Sequence, residues 1–190
     1  AITTGDKNVA IGSGASALIT ISNQNIAIGY TALAQQVGGG SNIAIGDAAM
    51  SQTGGTNAAT SDNNIFIGRS SGGGDWDNVV CQYNVAIGSY TMDAAMNGAE
   101  GNTAVGHSSL SGVIEGDNNV AMGYTAGDAI TSGYANVCIG MESGTTGSND
   151  LSTGYTNTLV GQATAVSASG AINQTAIGRS AVGVADNSVT

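Results

Sequence analysis

The chain has 190 residues, of which 31 are Gly, none is Pro, 41% are hydrophobic and only 8% are charged, against about 25% charged in an ordinary globular chain. A net charge of −10, with Lys7, Arg69 and Arg179 as the basic residues, leaves no patch able to neutralise several phosphates, which argues against a nucleic-acid partner. Apolar runs are too short to span a bilayer, but they recur at fixed places, which argues for order and against a membrane segment.

The first predicted element is a short strand at Val9-Ala10-Ile11, opened by Asn8 and closed by Gly12. Its pattern is clearest at residues 25–29, Asn-Ile-Ala-Ile-Gly, and returns until ten glycines have closed ten units: Gly12, Gly29, Gly46, Gly68, Gly88, Gly106, Gly123, Gly140, Gly161 and Gly178. Steps between them are 17, 17, 22, 20, 18, 17, 17, 21 and 17 residues. A modal period of 17 with occasional lengthening predicts a solenoid whose coils share a core and differ in one loop.

Each position within the unit carries its own expectation. Successive side chains of a strand face opposite ways, so the large pair, such as Ile26 and Ile28, is expected to fill the coil interior. Ala27, small, is expected on the outside, where a strand layer or another chain approaches closely. The leading Asn recurs at Asn8, Asn25, Asn42, Asn64, Asn84, Asn102, Asn119, Asn136 and Asn157, with Gln174 in the tenth unit. Stacked coil on coil, these amides can form a ladder along the axis. The closing glycine is expected at positive φ. A small residue three places later (Ala32, Ala49, Ser71) implies a second, short strand or a turn packed on the first, and the variable residue just after the glycine (Tyr30, Arg69, His107, Tyr124) marks a solvent-facing ridge.

Residues 186–190 read as the opening of an eleventh unit and residues 1–5 as the tail of a preceding one. Both ends therefore read as open, with Ile2, Val9, Val184 and Val189 as candidate assembly residues, and a chain starting at Ala1 reads as an excerpt or a processed product. Cys81 and Cys138 lie far apart without metal-ligand spacing, and no disulfide is expected between them.

The expected fold is all-β: one parallel β-solenoid, or β-roll, of about ten coils over residues 1–190. The unit Asn-(Ile/Val)-Ala-(Ile/Val)-Gly, carried best by residues 25–33, 102–110 and 119–126, resembles the head repeats of YadA-like trimeric autotransporter adhesins and, still more, repeats of bacteriophage tail fibres. That resemblance implies a left-handed β-roll, often trimeric, with the Ala face toward neighbouring chains.

Candidate chemistry is sparse. His107 is the sole histidine and falls on the ridge, where a surface role is expected rather than that of a catalytic base. Asp75 and Asp77, in the glycine-rich stretch at 70–77, are weak candidates for Ca²⁺ or for a glycosidase pair. Asp62, Asp117 and Asp186 recur one or two residues before the repeat Asn, but no calcium-loop motif accompanies any of these. No phosphate-loop pattern or other cofactor motif is present, and no cofactor is expected. Exposed aromatics are the better lead: Trp76, Tyr83, Tyr30 and Tyr124 are candidate ligand platforms, with a cell-surface glycan as the candidate partner. Asn173-Gln174-Thr175 is a weak N-glycosylation sequon.

The reading that results is a non-enzymatic, extracellular or virion-surface fibre segment, resembling a tail fibre or adhesin head and self-associating as a homotrimer. Alternatives are an extracellular filament whose subunits stack head to tail and, as a minor case, a polysaccharide-degrading tailspike.

Overall fold

The computed structural model describes residues 5–53, 60–76, 79–147 and 149–190. Each unit contributes one three-residue strand: β1 (Val9–Ile11), β2 (Ile26–Ile28), β3 (Ile43–Ile45), β4 (Ile65–Ile67), β5 (Val85–Ile87), β6 (Thr103–Val105), β7 (Val120–Met122), β8 (Val137–Ile139), β9 (Thr158–Val160) and β10 (Thr175–Ile177). All ten pair in chain order into one parallel sheet, and the register never slips: Ala10 faces Ala27, Ala27 faces Ala44, and Ala44 faces Phe66. One strand per coil and parallel pairing of successive coils make the chain a β-solenoid, as its period predicts. Beyond β10 the chain comes round once more, for Thr175 bridges Val189 in parallel and the Thr175 N–H donates to Ser188 O at 2.8 Å. The eleventh unit read at residues 186–190 thus begins at Ser188.

The faces of the strand are the reverse of the expectation. Ala27, Ala44, Ala86, Ala104, Ala121 and Ala176 are fully buried, as are Phe66, Cys138 and Leu159 in the same column, whereas both neighbours of each are half-buried or exposed. The reason lies across the coil. In several coils a second side chain, four residues after the closing glycine, enters the same interior, and the two share one volume. Ala27 goes with Leu33, Ala44 with Met50, Ala86 with Met92 and Ala104 with Leu110, all buried. Phe66 goes with Gly72 and Cys138 with Gly144, the larger Leu159 goes with Ala165, and Ala121 with Gly127. A Cβ on Gly72 would come within 2.5 Å of Phe66 Cδ1, and one on Gly144 within 2.9 Å of Cys138 Sγ. The slot is too narrow for Ile or Val beside Leu, and close packing leaves no room to compromise.

The turns rest on more left-handed residues than the glycines alone indicate. Gly29 has φ 139, and a Cβ there would collide with the Gly46 carbonyl oxygen of the next coil, so this position requires glycine. Yet Thr31, Leu33 and Gln24 also have φ of 50, 52 and 62, and in most coils the equivalent positions are held in the same region by residues other than glycine. Such residues cost of order 1 kcal/mol each in isolation. Here the conformation aims each amide at the adjacent coil: Thr31 N donates to Ser13 O, Leu33 N to Ala49 O and Gln24 N to Asp6 O, at 2.9 to 3.0 Å.

The asparagine ladder forms as expected. From Asn64 to Asn157 each side-chain Nδ2 donates to the Oδ1 of the preceding asparagine at 3.0 to 3.2 Å, and each backbone N–H donates to that same oxygen at 3.0 Å or just below. The second Nδ2 hydrogen reaches a backbone carbonyl in the coil turn, as in Asn119 to Gly133 O at 2.8 Å and Asn136 to Gly154 O at 2.8 Å. Buried amides are thereby satisfied in a chain of side chains that runs from Asn42 to Asn157. Gln174 keeps only part of this: its N–H donates to Asn157 Oδ1, but its longer side chain turns to Ser167 and Asp186.

Candidate functional site

Inversion of the strand faces puts the large residues outside. Of the 20 outward positions in β1 to β10, 17 are Ile, Val or Met, and the remaining three are Thr103, Thr158 and Thr175. Strands about 4.8 Å apart make this an apolar strip on the order of 43 Å long. Ile11 is 58% exposed, Met122 44% and Ile177 60%. No charged side chain stands on the strip, although the chain carries a net charge of −10. Contiguous exposed apolar patches of this length are uncommon on monomeric proteins.

Beside the strip runs the ridge of residues that follow the closing glycines. Along its middle runs a stack across four coils, in which Tyr90, one residue past the ridge position Ser89, takes the fifth coil's place. Arg69 Cζ lies 5.6 Å above the Tyr90 ring, Tyr90 is 5.5 Å from His107, and His107 is 5.5 Å from Tyr124 at an interplanar angle of 24°. Tyr124 thus stacks on the imidazole while Tyr90 meets it tilted at 59°, and the His107 Nδ1 pairs with Ser108 Oγ at 2.9 Å. Burial raises the Asp93 carboxyl above its ordinary value, with the nearby His107 acting in the opposite direction.

A third surface lies on the flank where the coils turn back toward the next Asn. Residues two places before that Asn hold the turns together, since Asn23 Oδ1 accepts the Asp6 N–H at 2.7 Å, Asp117 Oδ1 the Glu100 N–H at 2.9 Å and Asp186 Oδ1 the Ile172 N–H at 2.8 Å. Asp62 Oδ1 accepts the Gly40 N–H in the same way. These carboxylates cap the coil turns, a signal legible in the sequence as Asp or Asn at this offset. In the same column Tyr134 and Tyr155 stack in parallel, 4.8 Å apart. Two grooves open on this flank: one of about 280 Å³ lined by Ile21, Asn23, Gln24, Gly40, Asp62 and Asn63 among others, and one of about 260 Å³ lined by Ile114, Glu115, Thr131 and Ser132.

The structure does not gather the four aromatic candidates into one site. Trp76, expected in an exposed loop, is fully buried and packs edge-on against Phe66 at 5.5 Å and 62°. The glycine opposite Phe66 makes room for this ring pair in the coil interior, so Trp76 belongs to the core. Tyr30 and Tyr124 stand on the ridge, 62% and 53% exposed, five coils apart. Tyr83, 55% exposed, stands on the turn flank. Asp75 is exposed, and Asp77 lies outside the described residues. Among the described residues no three His, Cys, Asp or Glu side chains gather as a metal site needs. Of the assembly candidates, Val9, Val184 and Val189 are exposed, and Ile2 lies outside the described residues. Cys81 and Cys138 are buried free thiols. Compared with protein-family models, curated proteins and solved structures, the chain shows no significant match to any of them.

Proposed function

We propose that the chain is a non-enzymatic fibre segment, a rigid rod that associates with copies of itself along its outer sheet face and presents its turn flank to a surface outside the cell. The observation that carries this reading is the apolar strip. It is in register over all ten strands and free of charge, so identical copies meet there without the like-charge repulsion that the rest of a −10 surface would impose. Closed cyclic symmetry lets one patch serve every protomer. The resemblance to trimeric adhesin heads and tail fibres makes a homotrimer the expected order, with the Ile and Val columns in place of the Ala column at the shared axis.

Sedimentation velocity over a range of concentrations tests the proposal. A discrete trimer is expected, and substitution Ile45→Asp is expected to give a folded monomer. A wild-type chain that stays monomeric at high concentration overturns the reading, and rods that lengthen without limit would favour head-to-tail stacking instead.

A further inference from the structure

The larger groove on the turn flank is a notch one coil wide. Coil by coil, the position two before the repeat Asn is held by Asn23, Gly40 and Asp62, and the position one before it by Gln24, Ser41, Asn63 and Tyr83. Gly40 removes a side chain between Asn23 and Asp62, and Gly38 lines the same gap. With coils about 4.8 Å apart, the walls stand roughly 10 Å from each other, and the space between them is about 280 Å³. That is at the small end of ligand sites, about 300 to 1,000 Å³, and suits one ring-sized unit rather than an extended chain.

The lining is rich in groups with hydrogen-bonding capacity to spare. Asn23 uses Oδ1 on the Asp6 N–H, leaving its amide hydrogens. Asp62 uses Oδ1 on the Gly40 N–H, leaving its second carboxylate oxygen. Gln24, Ser41 and Asn63 are exposed. Gln24, Ser41, Asn63 and Tyr83 have φ of 62, 57, 60 and 60, so the backbone projects these four side chains in the same direction in successive coils. Tyr83 follows Asn63 one coil further along, its N–H donating to Asp62 O at 3.4 Å, and its ring is 55% exposed. Adjacent amides, a hydroxyl and one carboxylate in the lining, with an exposed tyrosine ring one coil beyond it, form a combination that recognises a polyol ring: paired hydroxyls take the polar groups, and a ring overhanging the notch meets the tyrosine with its apolar C–H face. The carboxylate, on a chain of net charge −10, disfavours an acidic ligand.

We propose that this notch, lined by Asn23, Gln24, Ser41, Asp62 and Asn63 and flanked one coil beyond Asn63 by the exposed ring of Tyr83, binds a neutral hexose unit of a surface glycan. The proposal deepens the display reading above and names its ligand class. A single small notch binds weakly, and parallel copies in one rod raise the avidity without any new contact.

The test titrates the full chain with neutral oligosaccharides of glucose, mannose and N-acetylglucosamine and with an oligogalacturonate, by calorimetry. Saturable binding of at least one neutral oligosaccharide is expected, with the oligogalacturonate weaker. Tyr83→Ala and Asn63→Ala are each expected to weaken it about tenfold, and Ala135 shows that Ala is accepted at this turn position, with φ 54. Asp62→Asn preserves an acceptor for the Gly40 N–H and is expected to weaken binding less. Tyr30→Ser and Tyr124→Ser, on the ridge, are expected to change nothing. Thermal unfolding and sedimentation confirm that each variant is folded and assembled. Absence of binding to every neutral oligosaccharide, preference for the acidic one, or binding undiminished in both Tyr83→Ala and Asn63→Ala overturns the proposal. An intact oligomer that binds no sugar removes the notch and leaves assembly standing, whereas a monomer that binds sugar removes assembly and leaves the notch.

Discussion

Ala27 and Ile28 are neighbours in one strand, and they belong to different contact surfaces. The Ala column is sealed inside the coils, where its smallness is matched by Leu33, Met50, Met92 and Leu110 from across the turn. The Ile column faces out, where Ile11 and Ile177 are 58% and 60% exposed. Size at a repeat position therefore reports the room opposite it, and not which side is the interior. The inner column specifies the fold of one chain; the outer one is available to specify its company.

Substitutions on the two columns should separate these roles. Ala104→Asp puts an unpaired charge into a dry slot beside Leu110, and loss of the folded state is expected, since such burial costs several kcal/mol. Ile45→Asp, on the outer column, should keep the far-ultraviolet spectrum and thermal transition of a folded coil while losing the oligomer. Equal loss of folding in both variants would contradict the assignment of faces.

The shared interior volume gives the next largest effect. Phe66→Ala should cost about 3 to 5 kcal/mol through the cavity it leaves around Trp76. Adding Gly72→Leu should recover a large part, because coil four would then carry the Ala and Leu arrangement of coil two, where Leu33 accepts the same left-handed backbone. Gly72→Leu alone, facing an intact Phe66, should destabilise. Chemical denaturation of the three variants measures the coupling.

Asn119→Asp removes both Nδ2 donations, to Asn102 Oδ1 and Gly133 O, and leaves a buried carboxylate facing oxygen acceptors. A loss of about 3 kcal/mol is expected at neutral pH, with partial recovery on acidification as the carboxyl protonates.

A smaller effect tests the seal of the interior. Burial pushes the Cys138 thiol up to about 12 and the Cys81 thiol up to about 11, from 9.0. Because the folded values are the higher ones, the unfolded chain releases these protons first; stability is unaffected below pH 9 and falls as pH rises toward 12. Both thiols should resist alkylation at pH 8 until denaturant is added. Fast labelling of the native chain would show that the coil interior opens readily.

Much of this molecule is legible along the chain. Ten glycines at a modal spacing of 17 reveal the solenoid, and the recurrent Asn reveals the ladder, because both depend on one residue type meeting its own copy in the next coil. The turn-capping role of Asp62, Asp117 and Asp186 is visible as an offset from that Asn, although its purpose appears only once Gly40, Glu100 and Ile172 are seen to donate. Trp76 was beyond reach of the pattern, since its burial depends on Gly72 making space beside Phe66.

What the sequence alone determined was everything periodic: strand, turn, stacking order and register, because in-register parallel stacking turns a repeat in one dimension directly into neighbours in space. Only the tertiary structure decided which way each strand faces. Alternation assigns residues to two faces without naming the inner one, and that choice was made by the side chains entering from the opposite wall of the coil.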